Sequence, residues 1–179
     1  KQLSNQTSDW GQKASLVNLI EALHKGNTKV LADIVINHRG NKSGWCDCEE
    51  DDFGEGYGKF QLLQTHICKG DECFWSEEAK KGSSCYAAEA KDRGAADTGS
   101  NFDGARDLDH ANPYVQDWAK AYVRWMIDVM KYDGFRYDMT LGYAGQYLSM
   151  YNEASKPYLS VSELWEEAKI GRASCRERV

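Results

Sequence analysis

Three short apolar segments of this chain predict β-strands that end in polar side chains. They are residues 30–36, 134–138 and 157–164, and helical patterns at residues 13–25, 113–130 and 144–155 alternate with them. Strands that alternate with helices predict parallel βαβ units and an α/β fold. Short apolar strands that carry polar groups at one end are typical of the catalytic face of an α/β barrel.

The helical segments have recognisable ends. Residues 13–25 place apolar side chains at the i, i+3, i+4, i+7 spacing, and Gly26 stands where a C-terminal cap belongs. Asn112 followed by Pro113 predicts the N-cap and first turn of the second helix. The strand at 30–36 is almost continuously apolar, which indicates burial on both faces of a parallel sheet. Asp33 interrupts it and requires a partner.

Periodicity disappears between residues 39 and 111, where Gly, acidic residues, Lys and Cys dominate. A structureless loop of this length is unusual inside a compact domain. We therefore interpret residues 39–111 as an irregular subdomain inserted after a barrel strand and stabilised by bridges and bound ions. We interpret the acidic run at residues 49–52 as solvated surface.

All but one of the cysteines lie in this insert: Cys46, Cys48, Cys68, Cys73 and Cys85. Clustered loop cysteines favour disulfides and an oxidising compartment, and hence secretion. Because five is an odd number, one thiol is left free or pairs outside the chain. A zinc cluster is the alternative, although the single residue between Cys46 and Cys48 is a tighter spacing than paired zinc ligands usually have.

Charge and hydropathy exclude two classes of partner. The net charge of −6 and pI of about 5.3 argue against nucleic acid, which requires a basic face. No run of about 18 apolar residues predicts a membrane span. The chain begins at Lys1, not Met, which suggests the interior of a longer protein. Residues 170–179 match one reading frame of a common DNA-sequencing adapter, and we interpret them as an artefact in preference to a natural basic tail.

Two carboxylates end adjacent predicted strands. Alternate residues of a strand face the same side, so Arg136 and Asp138 point together, and the guanidinium favours the ionised carboxylate that a nucleophile requires. The apolar neighbours of Glu163 predict a raised pKa and a protonated general acid. Adjacent strands bring such a pair within the ~5–5.5 Å of retaining glycosidases. The alternative is a structural ion pair beside an ordinary strand-end glutamate.

Two further groups of polar residues have functional and structural interpretations. Asn37 and His38 follow the first strand, where side chains face the mouth of a barrel, although a hydrogen-bonded structural histidine is the alternative. Residues 97–110 are dense in the oxygen ligands that Ca²⁺ prefers, although a solvated acidic loop has the same composition.

Four motifs in this order resemble the α-amylases of glycoside hydrolase family 13, particularly the plant-type branch. Residues 32–39, 134–143 and 162–165 are similar to the first three family signatures, and residues 97–112 to the segment that closes the plant enzymes' inserted domain. The resemblance covers about residues 12–168. It implies strands 3 to 5 of a (β/α)8 barrel, with residues 1–38 and 112–169 as two barrel parts around a calcium-binding insert.

The resemblance also implies roles. Asp138 corresponds to the nucleophile, Glu163 to the general acid/base and Arg136 to the arginine that orients the nucleophile. His38 corresponds to a sugar-binding histidine, and Asp33 to a structural carboxylate whose buried partner we suggest is Arg136. Calcium is the implied cofactor, and its implied ligands are Asn37, Asp97, Asp107 and the backbone carbonyls of Ala105 and Gly142.

The implied activity is calcium-dependent, endo-acting hydrolysis of α-1,4-glucans such as starch or glycogen, with retention, by a protein that is monomeric at full length. A non-catalytic barrel-like binding protein and another family 13 glucanotransferase are the alternatives. Leu141 stands where the family usually has Lys, which predicts weaker binding on the leaving side. The motif that carries the third catalytic carboxylate is absent, so we expect this chain alone to be inactive.

Overall fold

A computed structural model describes residues 11–39, 48–69, 94–100, 102 and 105–165. The elements in chain order are α1 (Lys13–Lys25), β1 (Leu31–Ile34), β2 (His38–Arg39), β3 (Asp51–Asp52), β4 (Lys59–Phe60), β5 (Arg106–Asp107), α2 (Pro113–Asp128), β6 (Gly134–Tyr137), α3 (Gly145–Ser155) and β7 (Leu159–Ser162). Two 3-10 turns lie at Gln64–His66 and Thr140–Gly142. The interpretation of residues 170–179 concerns a segment outside the described residues.

The strands β1, β6 and β7 form one parallel sheet in the order β1-β6-β7, which confirms the α/β prediction. Their register aligns Asp33 with Arg136 and Arg136 with Val161. Backbone hydrogen bonds continue past the strand ends, from Asp138 N–H to the Ile34 carbonyl and from Glu163 N–H to the Tyr137 carbonyl, both at 2.9 Å. The carboxyl ends of the three strands therefore meet at one edge of the sheet.

The helix ends follow the local sequence signals. The Asn112 side chain accepts a hydrogen bond from Tyr114 N–H at 2.9 Å, and Pro113 begins α2 as predicted. Gly26 caps α1, but the left-handed residue that reverses the chain is the next one, Asn27, with φ of 55°. Asparagine tolerates this conformation better than most residues with a side chain.

One hydrophobic core joins the sheet, the two later helices and the insert. The α2 face contributes Trp118 and Val123, β6 contributes Phe135, and α3 contributes Tyr151, all of them buried. Residues of the insert belong to the same core, with Phe53 as an example. The insert is therefore packed onto the barrel segment through apolar contacts as well as polar ones.

The prediction that the first strand is buried on both faces is wrong for the described structure. Ala32 and Ile34 are buried against the helices, whereas Asp33 and Val35 on the opposite face are exposed. The hydrophobic run does not distinguish the faces, because Val35 is as apolar as its buried neighbours. The exposed face is the one that carries the predicted catalytic groups.

The insert contains two antiparallel pairings in its described part, β2 with β5 and β3 with β4. The interpretation of residues 49–52 as solvated surface is wrong for Asp51, whose side chain is completely buried. Both Asp51 oxygens accept from the Arg39 guanidinium, at 2.5 and 3.2 Å, and the Trp118 indole N–H donates to one of them at 3.0 Å. This network joins β2, β3 and α2.

His110 makes a second buried connection between the insert and the barrel. Its Nε2–H donates to the Ile36 carbonyl at 3.0 Å, and its Nδ1 accepts from the Tyr151 hydroxyl at 2.6 Å. Burial lowers the pKa of His110 to about 4, so the imidazole is neutral near pH 7. Its ring stacks on Tyr143 at 4.4 Å, directly beside the turn that follows the predicted nucleophile.

The predicted disulfides of the insert remain untested. Cys48 and Cys68 are buried, whereas Cys46, Cys73 and Cys85 lie outside the described residues, so the disulfide pattern stays a prediction. Within the described ranges, no helix combines the length and the hydropathy needed to cross a bilayer.

Candidate active site

The predicted nucleophile and its arginine lie side by side on the open face of the sheet. Arg136 Nη1 donates to Asp138 Oδ1 at 2.5 Å, because the two residues are separated by one strand repeat. The Asp138 side chain is partly accessible, as a group that meets a substrate requires. The guanidinium holds the Asp138 side chain in place through charge and hydrogen bonding.

The same guanidinium also contacts the predicted acid/base. Arg136 Nη2 lies 2.6 Å from Glu163 Oε1, so one planar group carries Asp138 at one nitrogen and Glu163 at the other. The structure therefore brings Arg136, Asp138 and Glu163 together on one face, as the sequence predicted.

The predicted environment of Glu163 is wrong. The Met139 N–H donates to Glu163 Oε2 at 3.1 Å and, as the largest cause, lowers the pKa of Glu163 below its usual value. The contacts with Asp138 and Trp165 and the charge of Arg136 act in the same direction. Desolvation acts in the opposite direction but does not outweigh these contacts, and the apolar neighbours Val161 and Leu164 are themselves exposed.

Asp33 is the partner of Arg136, as suggested, but the pair is not buried. Arg136 Nη1 donates to Asp33 Oδ1 at 2.8 Å, while 64% of the Asp33 side chain is exposed. Exposed ion pairs contribute little to stability because water screens them. In the described structure, the main effect of Asp33 is therefore to orient the Arg136 guanidinium.

His38 lies near the carboxylates and is covered by an aromatic ring. Its imidazole stacks on Phe102 with ring centres 4.0 Å apart. Burial lowers the pKa of His38, and the nearby charge of Asp138 acts in the opposite direction. The sequence predicted that His38 lies at the carboxyl edge of the sheet. No sequence pattern predicted that Phe102 of the insert stacks on it.

Three of the predicted calcium ligands meet at the junction between β1 and the insert. Asn37 Nδ2 donates to Asp107 Oδ1 at 2.7 Å, and both residues are buried. A Cβ atom added to Gly142 would lie only 1.9 Å from Asn37 Oδ1, so only glycine allows this approach. Ala105 is buried directly before β5.

Asp97 belongs to a segment that packs on the same turn. Its Oδ1 accepts from Gly99 N–H at 3.0 Å. Added to Gly99, a Cβ atom would lie 2.3 Å from the Gly142 carbonyl carbon. Ser100 N–H donates to the Leu141 carbonyl at 2.8 Å. The predicted ligands from the two parts of the chain are therefore neighbours in space.

The donor set fits a calcium ion better than a carboxylate-rich metal centre. Over the described ranges, no group of three or more His, Cys, Asp or Glu side chains is arranged to hold a metal. The Asn37 Oδ1 atom is buried and accepts no hydrogen bond from the described residues. An orphaned amide oxygen beside the Asp107 carboxylate suits Ca²⁺, which binds amide, carboxylate and backbone carbonyl oxygens.

Sequence reasoning missed three groups around Glu163. Met139 has a left-handed backbone with φ of 48°, which aims its N–H at the carboxylate. The Thr140 hydroxyl donates to the Glu163 carbonyl at 2.6 Å, and the exposed Trp165 contributes a hydrogen bond to the carboxyl group. Since these contacts come from the tertiary approach of two strand ends, no local pattern could have revealed them.

Parallel strands with two carboxylates at their carboxyl edge are the arrangement of a glycoside hydrolase of the α/β-barrel type. Residues 2–160 match the family model for the α-amylase catalytic domain. The chain therefore belongs to the α-amylase family, and its sequence represents only part of such a protein's length.

The sequence relatives agree. The chain is 31% identical to "Alpha-amylase 3, chloroplastic" of Arabidopsis thaliana over 93% of its own length and 17% of that protein. It is 29% identical to "Probable alpha-amylase 2" of the same plant, over 92% of the chain and 35% of that protein. The resemblance to the plant enzymes and to the family is confirmed.

Solved structures share the fold. An α-amylase from Malbranchea cinnamomea matches with a TM-score of 0.56 at 18% identity, covering 87% of this chain and 29% of that one. The α-amylase from Geobacillus thermoleovorans, solved with acarbose, matches with a TM-score of 0.56 at 17% identity, covering 93% and 32%. The described part is thus a segment of an α-amylase fold.

Proposed function

We propose that this chain is the part of an endo-acting, retaining α-1,4-glucan hydrolase that carries its nucleophile and its general acid/base. The observation that carries the proposal is the shared guanidinium: Asp138 and Glu163 contact one arginine at the edge where the parallel strands end. Family membership supports the reaction class, and starch or glycogen is the proposed substrate. The proposed strands are the third to fifth of the barrel, with residues 39–111 as the insert.

In the proposed mechanism Asp138 attacks the anomeric carbon of the glucan while Glu163 transfers its proton to the leaving glycosidic oxygen. Glu163 then removes a proton from water, which attacks the glycosyl-enzyme and releases a product of the original configuration. Arg136 orients Asp138 and balances its negative charge before the glycosyl ester forms and after water has cleaved it, and His38 binds the sugar whose bond is cleaved.

Glu163 must gain a proton before the first step, although the free site favours its ionised form. A bound sugar supplies the change, because it excludes water from the carboxyl group and desolvation favours the neutral acid. The partly exposed position of Glu163 leaves room for this shift. Substrate binding and protonation are therefore coupled in the proposed mechanism.

The insert has a proposed structural role. Asn37, Asp107, Asp97 and the carbonyls of Ala105 and Gly142 would hold a calcium ion. When bound, that ion supplies positive charge that fixes β1, the insert and the turn after Asp138 together. Secretion and a monomeric state remain proposals that follow from the cysteine pattern and the family.

The stereochemistry of the first product tests the proposed function. The complete protein is incubated with a maltooligosaccharide, and the anomeric signals are followed by proton NMR before mutarotation. Retention predicts that the α-anomer forms first, because two displacements restore the configuration. Endo-action predicts that the iodine colour of amylose falls before much reducing sugar accumulates.

Other outcomes distinguish the alternatives. A β-anomer as first product rules out double displacement. Longer oligosaccharides in place of hydrolysis identify a glucanotransferase. Binding of maltooligosaccharide without turnover by the complete protein identifies a non-catalytic binding protein.

Calcium is expected to stabilise the protein independently of activity. Saturation at about 100 times the dissociation constant adds about 2.7 kcal/mol to the free energy of unfolding, or roughly 5–10 °C in Tm. Thermal unfolding with calcium or with a chelator measures this. Asn37→Ala is expected to abolish the shift, because it removes the orphaned amide oxygen.

The matched control is Asp117→Asn, which removes a carboxylate that is exposed on α2 and pairs with Lys120 of the same helix. This variant is expected to keep the full calcium response. An equal response in Asn37→Ala would contradict the proposed ligand set.

A further inference from the structure

The backbone of Glu163 is fixed by the segment that carries the proposed nucleophile. Its N–H donates to the Tyr137 carbonyl at 2.9 Å, and its carbonyl accepts from the Thr140 hydroxyl at 2.6 Å. The first contact continues the sheet ladder and depends only on the main chain. The second depends on one side chain, so the identity of residue 140 decides whether it exists.

The carboxylate of Glu163 is held from the same segment. Met139 N–H donates to Oε2 at 3.1 Å, and Arg136 Nη2 lies 2.6 Å from Oε1. Met139 adopts the left-handed conformation, with φ of 48°, which residues with a side chain seldom take. The turn that directs Met139 N–H toward Glu163 is therefore locally strained.

The turn that presents the Thr140 hydroxyl is supported on its other side. Ser100 N–H donates to the Leu141 carbonyl at 2.8 Å, and Gly99 packs directly against Gly142. The position of the hydroxyl that contacts Glu163 is therefore fixed by neighbouring backbone and not by Thr140 alone.

We propose that Thr140 is a positioning residue for the acid/base, whose hydroxyl fixes Glu163 at its distance and orientation from Asp138. The inference rests on the proposed function for the roles of those two residues. Without the hydroxyl, the Glu163 carbonyl loses its described side-chain donor, and the carboxylate moves relative to Met139 N–H. Small displacements of reacting groups carry large costs in rate.

Two variants at one position test the proposal. Thr140→Val keeps the β-branched shape and removes the hydroxyl, whereas Thr140→Ser keeps the hydroxyl. In the complete enzyme, Thr140→Val is expected to lower kcat by about tenfold with KM changed by less than about twofold. Thr140→Ser is expected to stay within about twofold of wild type, because it restores the bond.

A second measurement uses the complete enzyme without substrate. Carbon-13 NMR of labelled glutamate follows the titration of Glu163, which faces the charged groups Arg136 and Asp138. Thr140→Val is expected to move the Glu163 titration to higher pH, since the contact with Met139 N–H loosens. Thr140→Ser is expected to titrate as wild type. Thr140→Ala gives the same loss of hydroxyl if valine prevents folding.

The two proposals fail in different ways. Unchanged kcat and unchanged Glu163 titration in Thr140→Val would overturn the positioning role. A wild-type enzyme without hydrolase activity, in which Thr140→Val still shifts the titration, would reject the proposed function and leave the positioning role supported.

Discussion

Replacing Asp138 by asparagine in the complete enzyme is expected to lower kcat/KM by at least about a thousandfold, which corresponds to about 4 kcal/mol of transition-state stabilisation. The amide has nearly the shape of the carboxylate, but its oxygen is a far weaker nucleophile toward the anomeric carbon. The contact with Arg136 involves one oxygen of Asp138, so asparagine can keep that contact. The loss of kcat/KM therefore measures the loss of the nucleophile more than a change in structure.

A chemical rescue separates a nucleophile from a structural carboxylate. Asp138→Gly leaves space on the face from which the nucleophile attacks. Azide is expected to enter that space and attack the anomeric carbon, while Glu163 gives its proton to the leaving oxygen. The expected product from an activated α-glucoside is the β-glycosyl azide, because only one displacement occurs.

The control for this series is again Asp117→Asn, an exposed carboxylate on α2, which is expected to keep wild-type kcat/KM. Nearly full activity in Asp138→Asn would remove the proposed nucleophile. Low activity in Asp138→Gly without any glycosyl azide would favour a structural role for Asp138.

Replacing Asp51 by alanine is expected to lower the free energy of unfolding by about 3–5 kcal/mol, or roughly 6–20 °C in Tm. Asp51 receives both terminal nitrogens of Arg39 and the Trp118 indole N–H, and its side chain is completely buried. Without the carboxylate, a buried guanidinium remains without that compensating charge. Denaturant unfolding followed by tryptophan fluorescence measures the loss.

The adjacent residue supplies a matched control. Asp52 pairs with Lys59 at 2.7 Å, but its side chain is 48% exposed. Asp52→Ala is expected to lower the free energy of unfolding far less than Asp51→Ala does, because water screens an exposed pair. Equal losses in the two variants would contradict the buried-network explanation.

A double variant examines the cause further. Arg39→Met with Asp51→Leu removes both charges and keeps apolar volume in the core. Such replacements often restore much of the stability lost when one partner is removed. A double variant no more stable than Asp51→Ala would show that the hydrogen bonds matter more than the charge balance.

The order of the elements could be predicted because it depends on local signals. The apolar spacing in residues 13–25, the pair Asn112–Pro113 and the run before Asp138 fix a helix, a helix start and a strand, and the structure has each of them. The predicted ends of the three strands differ from the observed ends by up to two residues, since apolar residues continue past the last ladder bond.

The candidate site could be predicted in its membership but not in its electrostatics. Alternation along a strand places Arg136 and Asp138 on one side, and this follows from sequence alone. The lowered pKa of Glu163 depends on Met139 N–H, and thus on how two strands approach each other. Asp51 shows the same limit, because an acidic run gives no sign that one of its members is buried.

The sequence by itself determined the alternation of strands and helices, the polar residues at their ends and membership of the α-amylase family, because these depend on periodicity and on motifs a few residues long. The tertiary structure decided which carboxylates share Arg136, which backbone groups hold Glu163 and which acidic residue of the insert enters the core. These contacts join residues far apart in the chain, and their strengths depend on burial and direction, which only the folded arrangement sets.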